Sequence, residues 1–236
     1  MSHTFLTSLV FLSACTSSPL DPGAGDNQGT GTSTLAVTGG ATASPHLANA
    51  HVASDFATAF SVRVELAGAP ITTGTVTMTS STGATPLAFS TTGNDAGHWV
   101  GVAAGYDEVY QLDVVSGADK VTGVIVDGPD IQVITSPTAG ATIDPTMPFM
   151  ATWDRAATAD VARIQAGDVD GIDVPDAGTY AVSAGTLHAD KDRARTNTFR
   201  LTRTNQVAPK GALPESRISV SVETEVDVVA APCPSC

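Results

Sequence analysis

The chain has 236 residues with 24 acidic and 11 basic side chains, a formal net charge of -13, and only 15% charged and 5% aromatic residues. This composition excludes coiled coils and long helical bundles, which need abundant Glu, Lys, Leu and Arg, and the acidic balance argues against nucleic acid as a partner. At 42% hydrophobic content, with 22 glycines and 14 prolines, it is instead a strand-rich folded chain of one or two domains.

The N-terminal run Phe5 to Ala14 (FLTSLVFLSA) is apolar and uncharged. It falls short of the roughly 20 apolar residues of a membrane-spanning helix. It fits the apolar core of a secretory signal, which runs about 7–15 residues before small residues at the cleavage site. Leu12-Ser13-Ala14-Cys15 resembles a bacterial lipobox, in which the cysteine is lipidated and becomes the mature N-terminus. One departure from that pattern is Met1 to Thr4, which has no Lys or Arg. Without the resemblance, residues 5–14 read as a buried strand and Cys15 as an ordinary thiol. The resemblance implies a signal peptide over 1–14 and membrane attachment at Cys15. Thr16 rather than Asp after the cysteine implies the outer membrane or cell surface. Residues 15–34, rich in Ser, Thr, Gly, Pro and Asp, are expected to form a flexible tether, because they offer little surface to bury against their ordering entropy.

From residue 35 the hydrophobic period is two, the mark of half-buried antiparallel strands. Phe60 to Leu66 alternates apolar and polar, as do Val76 with Met78, Tyr110 to Val114, and Phe199 with Leu201. The longest run sets Ile218, Val220, Val222, Val226 and Val228 against Ser219, Ser221, Glu223, Glu225 and Asp227. Turn clusters such as Ala67 to Pro70, Gly93-Asn94-Asp95 and Ser116 to Asp119 separate short strands, a sandwich or barrel pattern. The nearest approach to a helix is Pro45 to Ala59. Val126-Asp127-Gly128-Pro129-Asp130 marks a boundary between domains over 35–128 and 129–230, followed by a tail over 231–236.

A weak internal repeat supports two domains. Asp95-Ala96-Gly97-His98-Trp99 and Asp176-Ala177-Gly178-Thr179-Tyr180 share the form Asp-Ala-Gly-x-aromatic. The form resembles the D-x-G-x-Y corner of immunoglobulin-like domains, and implies an all-β chain of two tandem immunoglobulin-like β-sandwiches. In that family the tyrosine hydroxyl bonds backwards to the chain. Here Trp99 replaces the tyrosine in the first copy, and Val182 stands where antibody domains carry a core cysteine. Trp153 is then the core tryptophan of the second sandwich.

Candidate chemistry is sparse. Cys233-Pro234-Ser235-Cys236 reads as a local disulfide or free tail outside the cytoplasm, with half of a metal site or a redox pair as the other readings. Asp168, Asp170 and Asp173 resemble the start of a calcium loop, but the spacing departs from the ligand pattern and an acidic turn is the simpler account. His46 and His51 miss the spacing of two ligands on one helical face, and neither H-E-x-x-H nor G-x-S-x-G occurs. Arg193, Arg195, Arg200 and Arg203 form either a solvated face balancing Asp190 and Asp192, or a docking patch for an anionic glycan or acidic surface protein. The expectation is a non-enzymatic, lipid-anchored surface protein with a structural, adhesive or partner-binding role and no cofactor. The alternatives are a hydrolase accessory domain using loop carboxylates and a calcium-stabilised stalk.

Overall fold

A computed structural model of the chain describes residues 20, 26–47, 49–167 and 169–234. The lipobox with Cys15, together with Asp168 and Cys236, lies outside the described residues. Within them the chain is all-β, with eighteen strands and only two 3-10 turns, Ala53–Asp55 and Gly93–Asp95. The first ten strands are β1 (Asn27–Gly31), β2 (Leu35–Pro45), β3 (Phe56–Leu66), β4 (Ala69–Pro70), β5 (Thr75–Ser80), β6 (Gly83–Pro86), β7 (Ala88–Phe89), β8 (Trp99–Ala104), β9 (Val109–Ser116) and β10 (Asp119–Asp127). The remaining eight are β11 (Val133–Ser136), β12 (Thr142–Ile143), β13 (Phe149–Asp154), β14 (Val161–Ala166), β15 (Val169–Val174), β16 (Thr179–Val182), β17 (Arg195–Val207) and β18 (Arg217–Ala230). The candidate helical stretch Pro45 to Ala59 is corrected among the described residues: Pro45 ends β2, Ala53–Asp55 form the first 3-10 turn and Phe56 begins β3.

Three sheets pack as sandwiches. A five-stranded sheet runs β1-β10-β9-β5-β6, a three-stranded one β11-β13-β16, and a ten-stranded one β15-β14-β17-β18-β2-β3-β8-β7 with β12 paired to β18 and β4 to β3. The five-stranded sheet closes over one end of the large sheet, with Leu35, Val37, Phe60, Val62, Leu112 and Val124 between them. The three-stranded sheet closes over the other end, around Trp153, Ile164, Phe199, Leu201 and Val228.

The β17–β18 hairpin serves both cores. Val207, Ile218, Val220 and Val222 pack in the first, whereas Phe199, Leu201, Val226, Val228 and Ala230 pack in the second. β18 pairs in parallel with β2 from Arg217↔Thr38 to Val222↔Ala43, so the segment 129–230 contributes strands to both sandwiches. β2 fits between β18 and β3 because of two glycines. A Cβ on Gly40 would lie 1.8 Å from the Ser219 carbonyl oxygen and one on Gly39 2.1 Å from that of Ser61, and both residues have positive φ.

The expected tether over 15–34 is corrected at its C-terminal end. Residues Asn27–Gly31 form β1, paired with β10 from Asn27↔Ile125 to Gly31↔Val121. None of its side chains is buried, so hydropathy carries no sign of it; backbone hydrogen bonds to an open sheet edge supply the strand.

Between the two cores the chain crosses the inner face of the hairpin at Asp127 to Gln132, and polar groups line that crossing. Arg203 is 0% exposed, on the inward row of β17 with Phe199 and Leu201. Its Nε donates to Asp176 Oδ2 at 3.0 Å, its Nη1 to the Asp130 carbonyl at 2.9 Å and Oδ1 at 3.2 Å, and its Nη2 to the Ala157 carbonyl. Asp176, equally buried, also accepts from Trp153 Nε1 at 2.8 Å and from the Ala159 N–H at 2.7 Å. Tyr106 donates its hydroxyl to the Pro129 carbonyl at 2.5 Å, and Asn205 Nδ2 donates to the Asp127 carbonyl at 2.7 Å. These groups satisfy backbone carbonyls that cross the protein away from strand ladders.

Breaking a buried ion pair from one side costs about 3–5 kcal/mol, because a charge remains without its partner. Arg203→Ala and Asp176→Ala are each expected to lose roughly that much in urea unfolding, with the double variant losing well under the sum. Asp130 gives a pH signature. Burial opposes its ionisation, but N–H donation from Ala156 and Ala157 and the charge of Arg203 outweigh it and hold its carboxyl below the usual range. A depressed native pKa stabilises the fold above the unfolded value, about pH 3.9, and that contribution is lost as pH falls through the native value. Asp130→Asn is therefore expected to flatten the acid limb of melting temperature against pH below about pH 4.

Candidate functional site

Pairing along one edge of β18 is interrupted. It runs with β2 as far as Val222↔Ala43 and resumes with β12 at Thr142↔Val229. β2 ends on Pro45, which has no N–H to continue a ladder. On the far side, the Gly140 N–H donates to the Asp227 carbonyl at 2.8 Å and the Val229 N–H to the Ala141 carbonyl at 2.9 Å. Alternate residues of a strand direct their N–H and C=O to the same edge. The edge used by Asp227 and Val229 is therefore also the edge to which Glu225 turns its backbone groups.

A cavity of about 330 Å3 fills this interval. Thr224, Glu225 and Val226 line it from β18, Gln132 to Ile134 from β11 and the residue before it, and Thr138 with Ala139 from the following loop. Asn49, Ala50 and His51 of the β2–β3 connection line it from the first sandwich, so it lies where the two sandwiches meet. Interfaces of this kind are the common location of binding clefts.

The 49–51 wall is held in place. Asp55 accepts the N–H groups of His51 at 3.0 Å and Val52 at 3.1 Å, and those bonds hold its carboxyl below the ordinary carboxylate range. His51 Nδ1 lies 2.9 Å from the Asn49 carbonyl, which can only accept, so Nδ1 carries the proton and Nε2 is left for solvent or a ligand. Asn49 has φ +60°, a left-handed conformation that asparagine adopts more readily than most residues. Gln132 is buried, with Nε2 donating to the carbonyls of Leu201 at 3.1 Å and Val222 at 3.3 Å and to Thr224 Oγ1 at 3.0 Å; its Oε1 has no partner among the described residues. On the outer face Arg200 lies 3.1 Å from Glu223 Oε1 and 3.1 Å from Glu225 Oε2. Burial pushes the Glu223 carboxyl upward, with Arg200 opposing and Glu225 adding to the shift.

The four arginines do not form one patch. Arg193 is exposed and bonds Asp190 Oδ2 at 2.9 Å, Arg195 is exposed at the start of β17, and Arg200 is engaged by its two glutamates. Arg203 corrects the expectation outright, being interior. Continuing the alternation of Phe199 and Leu201 by two residues places it inward, and that was the signal in the sequence.

The acidic turn is likewise corrected. Asp170 and Asp173 lie in strand β15, with Asp173 Oδ1 bonded to Arg163 Nη1 at 2.8 Å and the Asp170 carbonyl to Arg163 Nη2 at 3.0 Å. A guanidinium thus lies against the two described members of the calcium candidate. Among the described residues no three His, Cys, Asp or Glu side chains are grouped to hold a metal ion.

The two Asp-Ala-Gly-x-aromatic motifs do different work. Asp95 receives the His98 N–H on its carbonyl in a 3-10 turn, Gly97 has φ +88°, and Trp99 Nε1 donates to the Ile71 carbonyl at 3.1 Å. In the second motif Asp176 is the buried partner of Arg203 and Trp153, and the Gly178 carbonyl accepts the Trp153 N–H. Tyr180 is half-buried against the second core, and no backward hydroxyl bond ties it among the described residues. The bond expected of it belongs to Tyr110, whose hydroxyl accepts the Asp107 N–H at 2.9 Å beside Thr58 Oγ1 at 3.3 Å. Trp153 is a core residue of the second sandwich, 3% exposed. Cys233 is buried and disulfide-bonded, with its N–H donated to the Asp190 carbonyl at 2.8 Å.

The sequence reading passed over Asn49, Asp55 and Gln132, and weighed His51 only as a ligand paired with His46. No local pattern marked them, since the cleft forms only when segments some 80–90 residues apart in sequence meet. Compared with known proteins, the chain matches no protein family and no curated protein.

Proposed function

We propose that this chain is an exported, non-enzymatic binding module, held at the bacterial outer membrane or cell surface by lipid on Cys15. The observation that carries the reading is the β17–β18 hairpin, which runs one sheet through both sandwiches. Tandem sandwiches joined only by a linker move relative to one another by default. A shared sheet with a buried ion pair at the crossing instead makes one scaffold, suited to presenting a surface at a fixed distance and orientation. The cleft at the sheet interruption is the recognition feature of that scaffold. The lipobox Leu12 to Cys15, preceded by an uncharged apolar run and followed by a polar stretch ahead of β1, supports the anchor. Two or more acyl chains give stable membrane attachment, whereas one binds only marginally.

Expression of the full chain in a bacterium that processes lipoproteins tests this reading. The expected product partitions into detergent, begins at Cys15 and carries acyl mass, while Cys15→Ala moves to the aqueous fraction. A wild-type chain recovered unacylated with Met1 to Ala14 still attached would overturn the anchor.

A further inference from the structure

The inward row of β18 is apolar on both sides of one polar residue. Val222 and Val226 flank Thr224, and Thr224 Oγ1 lies 3.0 Å from Gln132 Nε2, both residues being buried. The Gln132 amide fits only one way round. The carbonyls of Leu201 and Val222 accept and cannot donate, so the amide nitrogen must face them and the oxygen lies on the other side of the planar group. That oxygen, Oε1, is buried and has no hydrogen-bond partner among the described residues. Thr224 Oγ1 accepts from the same nitrogen, which leaves its own O–H to be donated. A buried acceptor without a donor is costly to keep, and valine at 224 would pack without adding a polar group, so packing does not account for the pair.

Both residues line the 330 Å3 cavity where the sandwiches meet, and its other walls divide by chemistry. Ala50, Val133 and Ile134 are apolar, and Val133 is 47% exposed, which offers apolar surface for a ligand to cover. Asn49, His51 and Thr138 are polar and exposed, with His51 Nε2 able to accept. Glu225 also borders the cavity, but its carboxylate is engaged by Arg200 at 3.1 Å on the outer face. Along β18 the cavity is bounded by β2, paired as far as Val222↔Ala43, and by β12, paired from Thr142↔Val229. A compact molecule suits such a space better than an extended chain.

A buried acceptor beside a buried hydroxyl donor calls for a group that carries both an N–H and a C=O. The adjoining apolar wall calls for a methyl, and the polar mouth for hydroxyls. A charged group would lose its hydration there without gaining a counter-charge. We propose that the cavity binds the acetamido group of an N-acetylated amino sugar, with its N–H on Gln132 Oε1, its C=O on the Thr224 hydroxyl and its methyl against Ala50, Val133 and Ile134. The ring hydroxyls then meet Asn49, His51 and Thr138. The volume lies at the small end of ligand sites, about 300–1,000 Å3, and suits one sugar unit. This rests on the reading of the chain as a binding module and names the ligand class of its cleft.

The experiment is calorimetric titration of the full chain with three methyl glycosides: that of N-acetylglucosamine, that of glucose, and that of N-acetylglucosamine methylated on the amide nitrogen. The expected result is saturable binding of the first, with Kd of about 1 mM or tighter. The glucoside lacks the acetamido group and the third compound lacks its N–H, and each is expected to bind roughly tenfold more weakly or worse. Thr224→Val removes the hydroxyl at nearly constant shape and leaves the Gln132 nitrogen two of its three acceptors. It is expected to weaken binding about tenfold, and Thr224→Ser to restore it. In amide NMR spectra of the full chain, the first glycoside is expected to shift the N–H signals of Ala50, Val133 and Thr224.

No saturable binding, equal binding of either control glycoside, unchanged affinity in Thr224→Val, or shifts confined to other parts of the chain would each overturn the proposal. Should Thr224→Val fail to fold, the three glycosides against the unaltered chain decide the matter. Absence of binding by a chain that is acylated and membrane-bound removes the acetamido site alone. Binding by an unacylated chain that retains Met1 removes the anchor alone.

Discussion

A guanidinium without access to water is the constraint on which this fold depends. Arg203 sits at the crossing of the two sandwiches, and a buried charge there is tolerable only if every donor finds an acceptor. Its acceptors come from Asp130 in the crossing segment, Asp176 in the turn before β16, and Ala157 in the loop before β14. Those three segments belong to different parts of the second sandwich, so one side chain fixes their mutual positions. The same carboxylate that neutralises Arg203 also orients the indole of Trp153, which joins the ion pair to the packing of the second core. Replacing such a network with apolar side chains can be neutral for stability, so its value here is in defining the path of the chain.

That path has a consequence for the sheets. Because residues 127–132 cross the inner face of the β17–β18 hairpin, one half of the hairpin faces each core, and its inward row changes character at the crossing. Val222 and Val226 flank Thr224, which bonds Gln132 where a third valine would leave the Gln132 amide with one partner fewer. Pinching β2 between β18 and β3 requires the glycines at 39 and 40, and ending it at Pro45 opens the interval that β12 only later closes. The cleft is therefore a by-product of joining two sandwiches through one sheet. Its walls are nevertheless ordered, by Asp55 on one side and the Gln132 bonds on the other.

An open strand edge inside a protein is a liability unless it is hidden or used. The free edge of β15 carries Asp170 and Asp173, and its pairing with β14 shifts register near Gly171, two common ways of discouraging unwanted pairing. The interval beside Glu225 is lined by the 49–51 and 138–139 loops.

Much of the architecture was legible in the chain itself. Period-two alternation located β3, β9, β17 and β18 and identified an all-β protein, because each half-buried strand must repeat polar and apolar residues at the interval of the pleat. Trp153 was placed in the core by the resemblance to immunoglobulin-like sandwiches, and it is 3% exposed. Local pattern could not show that β1 exists, since its side chains bury nothing and its hydrogen bonds go to a strand some 90 residues later. Nor could it show that Tyr110 rather than Tyr180 makes the backward bond, or that Asp176 neutralises Arg203, because both depend on which segments meet. The sharing of β18 between two cores and the gap beside it were decided by tertiary structure alone. Hydrophobic period determines which face of a strand is buried, but only the pairing of distant backbones determines what it is buried against.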